Sequence, residues 1–193
     1  MDFNTTKHLR PRDYVYFYRP IKVPWLYKLV DYVKENSTPR NNNGIEQNPT
    51  QYERQCWDIP LEGTGILGNF LTDINKYILK ANQQYGFDIT NLLSLFYLEY
   101  SPQDTNSLDW HMDLDNEYPF NIRKLSFSLH INDPIEYEGG QLELFLDCVD
   151  TVQVPKSPGG LIFFPSFIPH RVTPITKGIR KVIVGFIGGP PFR

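Results

Sequence analysis

Four residues in this chain have the types and spacing that metal chemistry needs: His111, Asp113, His170 and Arg180. In Trp110-His111-Met112-Asp113, an extended backbone sends His111 and Asp113 to the same side, because strand side chains alternate with period two. The two can therefore share one ion. A third ligand must come from a neighbouring strand. His170 qualifies, since Phe163-Phe164-Pro165 reads as the end of one strand and His170-Arg171-Val172 as the start of the next. Two imidazoles and one carboxylate on one face of a metal leave positions open for a co-substrate and O2, the arrangement of non-haem Fe(II) oxygenases. Zinc hydrolases use the same ligand types, so the ligands alone do not choose the metal.

Arg180 helps to choose. Along Arg180-Lys-Val-Ile-Val-Gly-Phe186 it shares a face with Val182, Val184 and Phe186. A lone guanidinium on an apolar strand face is costly unless it is paired. A dicarboxylate co-substrate would supply the partner through a two-pronged contact. The charges then balance: a divalent metal, Asp113, a dianion and Arg180 sum to zero. Ser128 or His130 is placed to add a hydrogen bond to the same carboxylate, and Tyr100 to add a phenol.

The elements that must position these groups follow from periodicity. Residues 13–18 read as a strand, rich in aromatic and β-branched side chains. After Pro20 and Pro24 break the chain, Trp25 to Asn36 places Trp25, Leu26, Leu29, Val30 and Val33 at helical spacing. The Asn-rich stretch from Arg40 to Gln51 reads as a polar connector; within an enzyme, residues 37–52 could also act as a lid. A second helix is expected over Gly63 to Gln84, with Ile66, Phe70, Ile74, Ile78 and Leu79 on its buried face.

Beyond Asn91 short strands alternate with turns: 92–100, 124–132, 141–146, 151–154, 161–164 and 181–187. Strands after helices indicate a mainly β sandwich or barrel with the helices laid on one sheet. In Lys124–Asn132, Leu125, Phe127, Leu129 and Ile131 alternate with Ser126, Ser128 and His130. That strand either wets its polar face in solvent or turns it into a cavity while its apolar face packs under the helices. Gly139-Gly140 reads as a turn or bulge, Trp110 as packed or substrate-facing, and Arg123 and Arg171 as surface charges.

The ordered set His111-x-Asp113, Gly139-Gly140-Gln141-Leu142, Phe164-Pro165-Ser166, His170-Arg171-Val172-Thr173-Pro174 and Gly178-Ile179-Arg180 resembles the Fe(II)- and 2-oxoglutarate-dependent dioxygenases of the prolyl 4-hydroxylase type, notably their small bacterial and viral members. The resemblance covers roughly 92–193. It implies a double-stranded β-helix, a cupin-like jelly-roll, with the N-terminal helices on the larger sheet. It implies His111, Asp113 and His170 as iron ligands, Arg180 as the clamp for the distal carboxylate of 2-oxoglutarate, and Tyr100 near the co-substrate. Where many relatives carry a Tyr in the strand ending at Asn132, this chain has His130. The implied reaction uses O2, with ascorbate as reductant, hydroxylates a C–H bond and releases succinate and CO2. A prolyl residue of a peptide or protein is the leading substrate; a free amino acid or small metabolite, or a catalytically silent jelly-roll, are the alternatives.

Bulk properties limit the rest. The 193 residues suit one domain, with 1–90 as a supporting strand-and-helix region and 91–193 as the catalytic core. A formal charge of −3 gives no support for nucleic-acid capture, and the repair branch of the superfamily typically has a second Arg where this chain has Phe186. No run approaches the roughly 18 apolar residues of a membrane span. Cys56 and Cys148 are too far apart for a C-x-x-C site and read as reduced thiols. A soluble cytoplasmic monomer or homodimer is expected.

Overall fold

The computed structural model describes residues 14–39, 55–102, 109–146 and 151–192. The expected lid at 37–52 lies almost wholly outside them, as does Cys148, while Cys56 is a buried thiol. The chain begins with β1 (Val15–Phe17) and α1 (Val23–Asn36), followed by β2 (Gln55–Asp58) and α2 (Gly65–Tyr85). Then come β3 (Asn91–Tyr100), β4 (Arg123–His130), β5 (Tyr137–Gly139), β6 (Leu142–Phe145), β7 (Thr151–Gln153), β8 (Leu161–Pro165), β9 (His170–Val172), β10 (Ile175–Gly178) and β11 (Arg180–Gly188).

Helix α1 starts two residues earlier than its apolar periodicity suggests, with Pro24 inside its first turn. A proline is accepted there because the first-turn N–H groups have no partner within the helix. Helix α2 stops at Gly86, whose φ of 66° is the left-handed cap that glycine adopts without steric cost. Its buried stripe is Leu67, Phe70, Leu71, Ile74, Ile78, Ala81 and Tyr85. Leu79, expected on that stripe, is 63% exposed; one step past Ile78 rotates it about 100° from the buried face.

Strands β1-β8-β4-β11-β3-β2 form a six-stranded sheet in that order, and β7-β6-β9 and β10-β5 form two small ones. Every pairing is antiparallel. The alternation of β4 decides how the layers stack. Leu125, Phe127, Leu129 and Ile131 join Leu26, Leu29, Phe70 and Ile74 of the helices in one core. Ser126, Ser128 and His130 are buried on the opposite face. The polar row of β4 therefore lines the interior, and the wetted-strand alternative is set aside. Leu142, Leu144, Ile162, Phe164 and Val172 close the inner layer at one end, and Leu98, Tyr100, Tyr137, Ile175 and Val182 at the other. This is the expected jelly-roll, with both helices on the outside of its larger sheet.

Three short strands had no periodicity to announce them: β2 at the sheet edge, and the β5–β10 pair. Gly139 allows that pair to close, since a Cβ there would collide with the Pro174 carbonyl oxygen. Among the described residues no helix is long and apolar enough to cross a membrane.

Candidate active site

The segment carrying His111 and Asp113 runs as a strand extension beside β9. The His111 N–H donates to the His170 carbonyl at 3.0 Å, and the His170 N–H returns the bond at 2.9 Å. Beyond this pair, the N–H groups of Asp113 and Leu114 both donate to the Ser166 carbonyl, at 2.9 and 3.0 Å. Ser166 is itself fully buried, with its hydroxyl 3.0 Å from that of Ser126 on β4. Ser166, which opens the turn after β8, thus holds the Asp113 segment through main-chain bonds.

His111 Nε2 lies 3.7 Å from Asp113 Oδ1, and His170 Nε2 lies 3.4 Å from Asp113 Oδ2. One donor atom from each of the three residues falls within 4.8 Å of the other two. The Nδ1 of His111 sits 2.8 Å from the Asp109 carbonyl, and that of His170 2.9 Å from the Ile168 carbonyl. A carbonyl only accepts, so both Nδ1 atoms carry the proton and donate. Both Nε2 atoms, on the Asp113 side, then carry the lone pair, the tautomer a metal ligand needs.

Arg180 is 1% exposed, on the inner face of β11. Its register partner is Tyr100 on β3, whose ring centre lies 5.2 Å from the guanidinium carbon. Among the described residues no carboxylate lies in ion-pair range of it. Arg180 Nε, His130 Nδ1 and Ser128 Oγ are all buried without a hydrogen-bond partner. A ligand carboxylate would satisfy such groups.

His130 Nε2 stands 3.4 Å from an Arg180 terminal nitrogen. Burial, and then the positive charges of Arg180 and Lys156, push the His130 pKa down to about 3. The ring is therefore neutral near pH 7. Because guanidinium nitrogens only donate, Nε2 is the acceptor and Nδ1 carries the proton. His130 thus meets Arg180 through Nε2, while its buried Nδ1–H has no partner among the described residues.

Three neighbours of the site take places that the sequence did not indicate. Lys156 donates its ammonium to the Gly139 carbonyl and lies 5.1 Å from the Tyr137 ring centre; burial, then Arg180, lowers its pKa. Gly140 leaves room for the Arg180 side chain, since a Cβ there would come within 2.8 Å of its Cδ. Arg123, expected to be a surface charge, lies 3.7 Å from the Phe186 ring centre and 4.4 Å from that of Phe120. Its terminal nitrogen donates to the Asp113 carbonyl at 3.2 Å. Phe120 is only three residues from Arg123, but Phe186 is distant in sequence and gives no linear signal. Trp110 is 39% exposed, and so is not a core residue.

Residues 95–188 match the 2OG-Fe(II) oxygenase superfamily, a span containing all four residues singled out for metal and co-substrate chemistry. This core belongs to that superfamily. A PKHD-type hydroxylase of Aliarcobacter butzleri is 34% identical over 123 residues, covering 60% of this chain and 53% of the relative. One from Xylella fastidiosa strain M23 is 35% identical over 107 residues, covering 55% of this chain and 39% of the relative. The chain thus spans about half the length, or less, of these curated relatives.

A Pseudomonas putida prolyl-4-hydroxylase superposes with a TM-score of 0.70 at 20% identity, covering 91% of this chain and 92% of that one. A Trichoplax adhaerens prolyl hydroxylase, in complex with a hypoxia inducible factor oxygen degradation domain peptide fragment, gives 0.73 at 16% identity and covers 92% and 84%. These likenesses show a shared fold. For the oxygenase core, the family and the His-Asp-His donor set together imply Fe(II) and 2-oxoglutarate. The residues present fit both: three convergent metal donors, and a buried cation with unsatisfied donors around it.

Proposed function

We propose that this protein is an Fe(II)- and 2-oxoglutarate-dependent dioxygenase that hydroxylates a prolyl residue in a peptide or protein, acting in the cytoplasm as a monomer or homodimer. The observation that carries the reading is the convergent His111, Asp113 and His170 donor set in a sheet framework whose inner face also buries the Arg180 guanidinium, with no carboxylate in ion-pair range of it among the described residues. The choice of a prolyl residue rests on likeness, since the relatives are PKHD-type hydroxylases and the structural neighbours include prolyl hydroxylases.

Bound Fe(II), 2-oxoglutarate and O2 supply the oxidising chemistry, with 2-oxoglutarate leaving as succinate and CO2. His111, Asp113 and His170 would hold the metal on one face and leave its other positions open. Arg180 would hold the distal carboxylate of 2-oxoglutarate, orienting it by two parallel hydrogen bonds. His130 accepts from Arg180 and keeps the guanidinium turned, while the Ser128 hydroxyl is placed to donate to the same carboxylate. Tyr100 covers one face of the guanidinium and excludes water from it. Asp113 and Arg180 offset one another, so the metal and the dianion complete a neutral set; Lys156 adds a further positive charge beside it.

Two experiments in sequence test the reading. Anaerobic titration with Fe(II) and then 2-oxoglutarate should give a charge-transfer absorption; a protein that gives none is no such oxygenase. Turnover with proline-containing peptides and with free proline, read as a mass gain of one oxygen alongside succinate, should favour the peptides. Reaction with free proline alone would move the substrate to the small-metabolite class.

A further inference from the structure

Two rows of side chains cross the small sheet, one on each face. The inner row is His111, His170, Leu144 and Val152, set by the pairings His111–His170, Leu144–His170 and Leu144–Val152. One residue along, the same register places Trp110 opposite Arg171, Arg171 opposite Glu143, and Glu143 opposite Gln153. This second row points away from the metal donors, because side chains alternate.

All three outer pairs are in contact. The Arg171 guanidinium carbon lies 4.7 Å from the Trp110 ring centre. Arg171 Nε donates to Glu143 Oε2 at 2.7 Å, and Gln153 Nε2 donates to Glu143 Oε1 at 3.3 Å. Phe145 supports Trp110 edge-on at 5.8 Å. Glu143 is only 7% exposed, with both oxygens engaged. An exposed ion pair on a sheet usually contributes little. Here the carboxylate is buried and the guanidinium is held on two sides, so Arg171 has a fixed place.

We propose that Trp110, Arg171 and Glu143 are positioning residues for the metal centre, acting through the two imidazoles beside them in the chain. The inference rests on the metal site proposed above. Its physical basis is the lateral attachment of the ligand-bearing segment. Among the described residues, His111 lies in an isolated bridge and exchanges two main-chain bonds with His170, and the next attachment is the Asp113 and Leu114 N–H pair on the Ser166 carbonyl. A tilt of the segment about that Ser166 anchor would carry His111 away from His170. The outer row ties the segment to β9, β6 and β7 by side chains, and so resists that tilt. Groups that orient ligands from outside the coordination sphere commonly change metal affinity about 10- to 100-fold.

The test is Co(II) binding to the full chain without 2-oxoglutarate, read by visible d–d absorption, with thermal unfolding of the metal-free protein measured on the same preparations. Arg171→Ala and Trp110→Ala should each weaken Co(II) binding by about 10-fold or more. Lys177→Ala, which removes the exposed Lys177–Glu138 pair of the neighbouring sheet, should leave it unchanged. If an alanine variant does not fold, Arg171→Lys carries the same test, since lysine keeps the charge but cannot lie flat on the indole. Folded variants that bind Co(II) as the parent does would overturn the proposal while leaving the metal site standing. An equal loss in Lys177→Ala would also overturn it, because the effect would then be general destabilisation. A parent protein that binds no Co(II) would remove the metal reading, and the ladder with it.

Discussion

Arg180 and Tyr100 are register partners across the β11–β3 ladder, with the guanidinium carbon 5.2 Å from the centre of the phenol ring. The pairing places a buried cation beside an aromatic ring, and the guanidinium Nε is buried without a hydrogen-bond partner among the described residues; the proposed function gives it the co-substrate carboxylate. A charged hydrogen bond is worth about 1.5–3 kcal/mol. Arg180→Met, which keeps much of the side-chain length, should therefore weaken 2-oxoglutarate binding on the order of 10- to 100-fold. Calorimetric titration of the Co(II)-loaded protein would show this, and Co(II) affinity itself should hardly change.

The metal donors should respond in the opposite way. Asp113→Ala removes the one anionic donor of the three, and His111→Ala leaves two. Each should abolish 2-oxoglutarate turnover and the d–d spectrum of Co(II) together. Succinate release at the parental rate from either variant would contradict the assignment.

His130 makes the metal-free protein sensitive to acid. Its folded pKa, about 3, lies below its unfolded value of 6.5. Between those values the unfolded chain binds the extra proton, so stability rises with pH across the window and is lost progressively as pH falls below 6.5. By pH 5 the loss from this residue alone should be roughly 1–2 kcal/mol. Denaturant titration of the metal-free protein at pH 7 and pH 5 would measure it. His130→Gln should flatten that part of the difference while leaving the contribution of other groups.

Gly140 should couple stability to co-substrate binding. Its φ is +60°, and an added Cβ would run into Ile175 Cδ1 and the Arg180 side chain. Gly140→Ala should cost about 1–3 kcal/mol of stability by overpacking and backbone strain. It should also raise the 2-oxoglutarate Kd, because the clamp must move. An unchanged Kd in a destabilised variant would show that Arg180 has another way to relax.

The outer core should behave differently. Phe127 is buried between Phe163 and Gly185 under the helices. Phe127→Ala should cost about 3–5 kcal/mol of stability. Urea unfolding monitored by circular dichroism would give that number.

Much of this architecture was open to reading because local and global demands agree. The alternation in Leu125–Ile131 announces a strand with two different faces, and the polar face proves to line the site. His111, Asp113 and His170 are legible because a metal site constrains both residue type and strand parity. Arg180 is legible because a charge breaks an apolar row. What escaped is held by main chain or by tertiary chance. The Ser166 carbonyl has no side-chain signature, and Arg123 is met by Phe120 three residues before it and by Phe186 from β11. Strands β2, β5 and β10 have three or four residues each, too few for a period to emerge. Leu79 follows the buried Ile78 directly, and that single step turns it to solvent.

Strand β4 is one backbone with two owners. A sequence change that repacks Leu125, Phe127 or Leu129 against the helices shifts, through the same few peptide units, the serines and the histidine behind them. With the proposed co-substrate site, thermal tolerance and co-substrate recognition are tied along this strand, and selection for either one is read out in both.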